Sequence, residues 1–346
     1  MHGSLLSTAV AAQAEAMKIT KLGTLGTTSA IGIGLMGMSD AYGPSDRAES
    51  IATIHAALDS GITLLDTGDF YGMGHNELLL RDALSVRDRD EVQISVKFGG
   101  QRSPDGAFLG FDARPAAVKT SLAYSLRRLG TDYIDVYRPA RLDPQVPIED
   151  TVGAIKEMID AGYVRHVGLS EVGVQTIRLA HAVHPISDLQ IEYSLMSRGI
   201  EDGILGAVRE LGIGVTAYGV LSRGLISGHW SPDRNAAAGD FRSHHPRFRH
   251  ENLDRNLALV EQLREVAAEI GGSVAQVAIA WVAAQGDDIV PLVGARTRQR
   301  LAESLGAVDL VLTDEHLEAI ESAVPTGAAA GDRYDATQMA MLDSER

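Results

Sequence analysis

From residue 31 onward the chain alternates short apolar runs with longer stretches whose apolar positions recur at helical spacing. The runs 31–36, 62–66, 92–97, 133–138, 164–169, 189–191, 214–217 and 289–293 read as strands. Several are apolar almost throughout, as parallel strands covered on both faces are. Between them, segments 47–60, 76–84, 114–129, 148–161, 174–182, 200–211, 252–270 with 274–285, and 297–305 read as helices. Strand–helix units repeated in this way predict an α/β fold, and eight of them fit a (β/α)8 TIM barrel better than an open doubly wound sheet. Gly32-Ile33-Gly34 does not continue into the Gly-x-Gly-x-x-Gly turn of a dinucleotide fold, so its glycines are assigned to backbone geometry.

The flanks add detail. Residues 18–27 predict an N-terminal β-hairpin around Gly23 or Gly26 that plugs the bottom of the barrel. Residues 1–16 read as a disordered leader, and 17–346 as a single (β/α)8 domain with a C-terminal helical extension. In that extension 314–324 is helical and 327–331 is rich in Gly and Ala. The long irregular stretch 219–251 follows the seventh strand, and loops of such length in a compact domain tend to be functional. Its His244, His245 and His250 lack carboxylate partners at ligand spacing, so no metal site is assigned.

Composition narrows the function. The 346 residues are 45% hydrophobic and 22% charged, enough to bury a sizeable core. A formal charge of -15 and a pI near 5.1 argue against a nucleic-acid partner, which would require a basic face. No window approaches the roughly 20 apolar residues of a membrane span. The lack of cysteine excludes disulfides and thiolate chemistry, and it points to a reducing compartment, the cytoplasm. Composition leaves the oligomeric state open.

Two strand ends carry candidate chemistry. Asp66 ends the second run, Lys97 ends the third, and Tyr71 follows Asp66 by five residues, so all three fall at the C-terminal rim where a parallel barrel gathers its reactive groups. A phenol with an ordinary pKa of about 10 is a poor acid at neutral pH unless a neighbouring cation favours its anion. The triad Asp66, Tyr71 and Lys97 therefore reads either as a general-acid set or as a rim ion pair beside an unrelated tyrosine. Arg296, Arg298 and Arg300 cluster at a predicted helix N-terminus, which favours an anion. Alternate spacing prevents all three from facing one way, and Arg296 and Arg300 are the two assigned to the site.

Asp66-Thr67-Gly68-Asp69-Phe70-Tyr71-Gly72, with Glu77 and then Lys97, resembles the Asp-Thr-Ala-x-x-Tyr-Gly signature of the aldo-keto reductase superfamily. Gly168-Leu169-Ser170, Gln190-Ile191-Glu192-Tyr193-Ser194, the stretch from Ala217 to Gly224 and Leu292-Val293-Gly294-Ala295-Arg296 follow in family order, and the resemblance spans about 18–325. It implies an NADPH/NADP+ cofactor and a small-molecule carbonyl substrate, with Tyr71 as acid, Lys97 lowering its pKa and Asp66 supporting Lys97. By the same resemblance Ser170 and Gln190 hold the nicotinamide carboxamide and Tyr218 stacks on the ring. Gly219, Leu221, Ser222, Gly294, Arg296, Arg300 and Glu303 complete the cofactor set. Tyr42, Phe70, Phe98, Arg138 and Trp230 are the candidate substrate contacts. Three departures stand out: Glu171 where Asn or Arg is common, Ser304 where Asn is common, and Ala140 where the family's substrate-orienting His is expected. Arg138 is the candidate replacement donor, its other reading being an ion pair inside the barrel with Glu192. The potassium-channel β-subunit branch also lacks that His, which gives the alternative function, an NADPH-binding sensor with little turnover.

Overall fold

The computed structural model describes residues 17–39, 41–231 and 240–346. Residues 1–16, expected to be a leader, and part of the irregular stretch, 232–239, lie outside them. In chain order the strands are β1 (Ile19–Leu22), β2 (Gly26–Ser29), β3 (Gly32–Gly34), β4 (Leu64–Gly68), β5 (Gln93–Phe98), β6 (Gly100–Arg102), β7 (Phe108–Phe111), β8 (Ile134–Pro139), β9 (Val164–Ser170), β10 (Ile186–Glu192), β11 (Gly214–Tyr218) and β12 (Ile289–Gly294). The helices are α1 (Arg47–Asp59), α2 (His75–Leu84), α3 (Pro115–Leu129), α4 (Ile148–Asp160), α5 (Val174–Val183), α6 (Ile204–Glu210), α7 (His250–Ile270), α8 (Val274–Ala283), α9 (Arg298–Leu305), α10 (Asp314–Ala323) and α11 (Ala336–Met339).

Strands β3, β4, β5, β8, β9, β10, β11 and β12 pair in parallel in that order, and β12 returns to β3 through Leu292 opposite Gly32, closing the predicted barrel. Each of the eight apolar runs overlaps one of these strands. Local chemistry sets many helix starts: Asp46 caps α1 by accepting from the Glu49 amide at 2.7 Å, and Ser273 with Gln276 forms a capping box on α8. The expected helix 200–211 is interrupted, because Gly203 adopts φ 91° and separates a 3-10 turn from α6. The antiparallel pair β6–β7 was not expected; its strands are short and Gly/Pro-punctuated, and they arch over the rim between β5 and α3.

The hairpin β1–β2 closes the bottom as predicted, with Leu22 packed on Leu64 and Val290. Its turn demands glycine at position 23. Gly23 sits at φ 47°, and a Cβ there would lie 1.8 Å from the Ser187 carbonyl oxygen.

Above that plug the interior is polar. Side chains alternate across a strand, so Ser95 and Lys97 point inward while Val96 and Phe98 face the helices. Arg138, buried among the inward groups, donates to Asp188 at 2.8 and 3.2 Å, to Ser95 Oγ at 3.0 Å and to the Leu169 carbonyl at 3.3 Å. Thr216 also donates to Asp188. Gly168 leaves the room for this pair, since a Cβ there would lie 2.9 Å from the Arg138 guanidinium carbon and 3.0 Å from Asp188 Oδ1.

After α10 the chain folds back over the rim. Asp343 accepts from the Gly173 amide at 2.8 Å. Arg333 makes a two-pronged contact with Glu171 at 2.6 and 2.9 Å and reaches Glu345 at 2.8 Å. The tail beyond the Gly/Ala stretch is therefore a strap across the barrel mouth.

Two substitutions test this account of the barrel. Gly23→Ala should lower stability by more than the roughly 1–2 kcal/mol of a left-handed alanine alone, because the Ser187 carbonyl must also move; an unchanged urea midpoint would show that the turn relaxes freely. Asp188→Ala should cost about 3–5 kcal/mol by leaving a buried guanidinium uncompensated. Pairing it with Arg138→Met should recover part of that loss, and a near-neutral single variant would mean that water already reaches the pair.

Candidate active site

The C-terminal rim opens into a cleft of about 1470 Å³, larger than the roughly 300–1,000 Å³ of ordinary small-ligand sites. Asp66, Tyr71 and Lys97 meet on its floor. Asp66 and Lys97 are 2% and 4% exposed and form a direct ion pair. The other Asp66 oxygen accepts from Gln190 Nε2 at 2.7 Å and Ser95 Oγ at 3.0 Å. The carboxylate is thus bonded on both sides, and through Ser95 it joins the Arg138–Asp188 pair below. The Lys97 ammonium lies 5.1 Å from the centre of the Tyr71 ring.

Tyr71 stands on an unusual piece of backbone. Gly72, Met73 and Gly74 follow it with φ of 56°, 55° and 94°, so the chain turns sharply away and leaves the phenol facing the cleft. Burial, followed by the Asp66 carboxylate, pushes the Tyr71 pKa well above its ordinary value, and the charge of Arg141 opposes this. The net shift is upward although Lys97, ion-paired with Asp66, stands beside the ring, so burial and Asp66 outweigh the lowering expected from the ammonium. Burial lowers Lys97 itself, and Asp66 counteracts that.

Most of the predicted cofactor residues line the same cleft: Gln190, Tyr218, Gly219, Leu221, Gly294, Arg296, Arg300 and Glu303. Ser170 and Ser222 are almost fully buried behind its wall. Arg296 donates to the Tyr42 carbonyl at 2.7 Å and to that of Pro44, without a carboxylate partner among the described residues. Arg300 pairs with Glu303 at 3.0 Å, while Arg298 turns away to pair with Glu49 at 2.9 Å. Both Gly294 and the N-cap of α9, Thr297, lie beside this group.

Among the candidate substrate contacts, Tyr42, Phe70 and Trp230 line the cleft. Phe98 does not: one residue after the inward Lys97, it faces the helix layer and stacks on Tyr137 at 4.4 Å between ring centres. Arg138 does not reach the rim either. It is 1% exposed, and its acidic partner is Asp188 rather than Glu192. Glu192 instead binds Arg223 at 2.9 and 3.1 Å and lies 3.5 Å from Arg333, cations that hold its pKa far below the ordinary range against the effect of burial.

The residues that sequence reasoning missed come from the rim and the strap. Arg141 lines the cleft next to Ala140. Tyr334 reaches in from the tail, its hydroxyl 2.8 Å from that of Tyr218. Glu171, at φ 55°, accepts from Tyr218 at 2.7 Å and from Arg333, which holds its pKa down to about 2 despite burial. That departure at position 171 is a tail anchor. The only signal for it in the sequence was an unexplained acid at a strand end facing an Arg-Tyr pair more than a hundred residues away.

Among the described residues no helix alone is long and apolar enough to cross a membrane, and no group of three or more His, Asp or Glu could hold a metal ion.

The barrel fold agrees with comparisons to known proteins. The chain is 41% identical over 318 residues to a probable aldo-keto reductase 1 of Glycine max, covering 91% of each. The fold matches a glycerol dehydrogenase from Gluconobacter oxydans at a TM-score of 0.79 and 28% identity, over 90% of this chain and 95% of that one. It also matches the holo form of an aldo-keto reductase from Bacillus halodurans at 0.76 and 26%, over 90% and 97%. Residues 30–325 match the Aldo/keto reductase family, and the chain, with its eight-stranded barrel and Asp66, Tyr71 and Lys97 together on the rim, is a member of that oxidoreductase family.

Proposed function

We propose that this protein reduces an aldehyde or ketone to the alcohol with NADPH, and that Tyr71 delivers the proton. The observation that carries the proposal is the meeting of Tyr71, Lys97 and Asp66 on the floor of one large cleft. The cofactor fits the chemistry of the walls: Arg141 and Arg296, which form no ion pair among the described residues, line the cleft of a chain with net charge -15 beside the ion-paired Arg223, Arg242 and Arg300, cations suited to a polyanion. Gln190, with Ser170 behind it, would hold the carboxamide, Tyr218 the ring face, and Arg296 with the start of α9 the 2′-phosphate. When bound, the cofactor supplies a hydride, two electrons and a proton, to the carbonyl carbon.

The chain's own residues account for the rest. Phe70, Trp230, Phe108 and Phe111 give the cleft an apolar wall that a bound substrate would cover. The Tyr71 phenol stays protonated at neutral pH, because burial and Asp66 both disfavour its anion. It donates only when the carbonyl oxygen gains charge, and Lys97 then stabilises the phenolate that forms. Asp66 keeps Lys97 charged in a buried place and fixes its direction.

Replacing Tyr71 with Phe should cut carbonyl reduction by about 10²–10⁴ while NADPH affinity, followed by fluorescence quenching, stays unchanged. Retention of more than about a tenth of the rate would assign the proton to another group. Arg296→Ala should weaken NADPH by about 1.5–3 kcal/mol and leave NADH nearly as it was. Equal losses for both cofactors would mean that Arg296 matters only by holding the Tyr42–Pro44 loop. Cofactor binding without turnover on aldehydes, ketones or quinones would favour the sensor reading that Ala140 raises.

A further inference from the structure

Ala140 removes a hydrogen-bond donor from the rim, and the structure brings a cation to the same spot. The Ala140 amide bonds to the Phe98 carbonyl at 2.8 Å, so the strand end is in register and its side chain faces the cleft shared with Tyr71. A methyl group cannot polarise a carbonyl. Arg141 follows directly and also lines the cleft. Its guanidinium donates to the Ala140 carbonyl at 2.6 Å, and to Ser170 Oγ and the Tyr334 hydroxyl at 3.4 Å each. All three partners are neutral, and two of the contacts are long. Among the described residues no carboxylate forms an ion pair with Arg141, whereas neighbouring Arg223 is held by Glu192 and Arg333 by Glu171, Glu192 and Glu345.

A guanidinium carries five N–H groups in a rigid fork. Three contacts leave two N–H groups for a ligand, and the charge is felt by Glu171 without a direct ion pair. The charge also acts where the chemistry would occur, since among the neighbours of Tyr71 it opposes the upward push of burial and Asp66 on the phenol. Arg138, the earlier candidate for this role, is bound one layer below by Asp188, Ser95 and a backbone carbonyl through its terminal nitrogens.

We infer that Arg141 is the catalytic residue that donates to the substrate carbonyl oxygen, in the place left by Ala140, with Tyr334 and Ser170 aiming its guanidinium. The inference rests on the reductase reading above. Arg141 binds the oxygen as negative charge develops on it, Tyr71 gives the proton, and Arg141 remains protonated throughout.

The test is steady-state kinetics of Arg141→Gln and Arg141→Ala on a neutral aldehyde and on an aldehyde bearing a carboxylate, beside NADPH binding by fluorescence quenching. Loss of one donor to a developing oxyanion should lower kcat by about 10²–10³ on both substrates, with NADPH affinity retained. Added guanidinium ion should restore part of the Arg141→Ala rate, and a merely structural role would give no such rescue. A loss confined to KM for the carboxylated aldehyde would overturn the assignment in favour of a substrate-carboxylate anchor. Weakened NADPH binding without rescue would overturn it in favour of support for Ser170. If the unaltered protein turns over carbonyls and Arg141→Gln does so equally well, only this inference fails; if the unaltered protein turns over none, the reductase reading fails with it.

Discussion

Asp66 is the carboxylate on which the barrel mouth depends. It is buried, and such a charge is tolerable only when paired and fully bonded. Lys97 and Ser95 supply those bonds from the adjacent strand β5, and Gln190 supplies another from β10 across the barrel. Ser95 passes the connection to Arg138, Arg138 to Asp188, and Asp188 to Thr216, so a line of polar and charged groups crosses the barrel where eight-stranded barrels commonly stack Val, Ile and Leu. Glycine at 168 is the sequence's concession to the volume that this line requires. The arrangement ties these rim side chains to their neighbours, and the Asp66 contact favours the charged form of Lys97 against the effect of burial.

A second group of ion pairs lies one level higher and has a different purpose. Glu171 and Glu192, each at a strand end, hold Arg333 and Arg223 in two-pronged contacts. Arg333 belongs to the strap, beyond the 30–325 span shared with the family, so the far end of the chain is locked onto the rim by groups that also touch Tyr218. Tyr334 is thereby placed over the cleft, bonded to Tyr218 and within reach of Arg141. This closure distinguishes the present mouth from a bare barrel rim.

The barrel was legible because its strands are apolar runs of the right length, and the hairpin because Gly23 and Gly26 punctuate it. The triad was legible because Asp66 and Lys97 end such runs. What stayed hidden depended on side-chain direction or on distant partners. Phe98 is aromatic and adjacent to Lys97, yet strand parity turns it outward. Arg138 shares the inward face with Ala140, but an Asp fifty positions later claims it. The pair β6–β7 is too short and too rich in Gly to register as strand. The strap carries no periodicity, and only the fold brings Arg333 to Glu171.

The central claim is that the cleft passes a hydride from NADPH to a carbonyl carbon. The most direct measurement is to incubate the protein with NADPH deuterated at C4 of the nicotinamide, each face labelled in turn, and an aldehyde, and to follow the label by mass spectrometry. One face should deliver one deuterium to the carbinol carbon of each alcohol formed. Alcohol formed without label from either face, or bound cofactor that is never consumed, would contradict it.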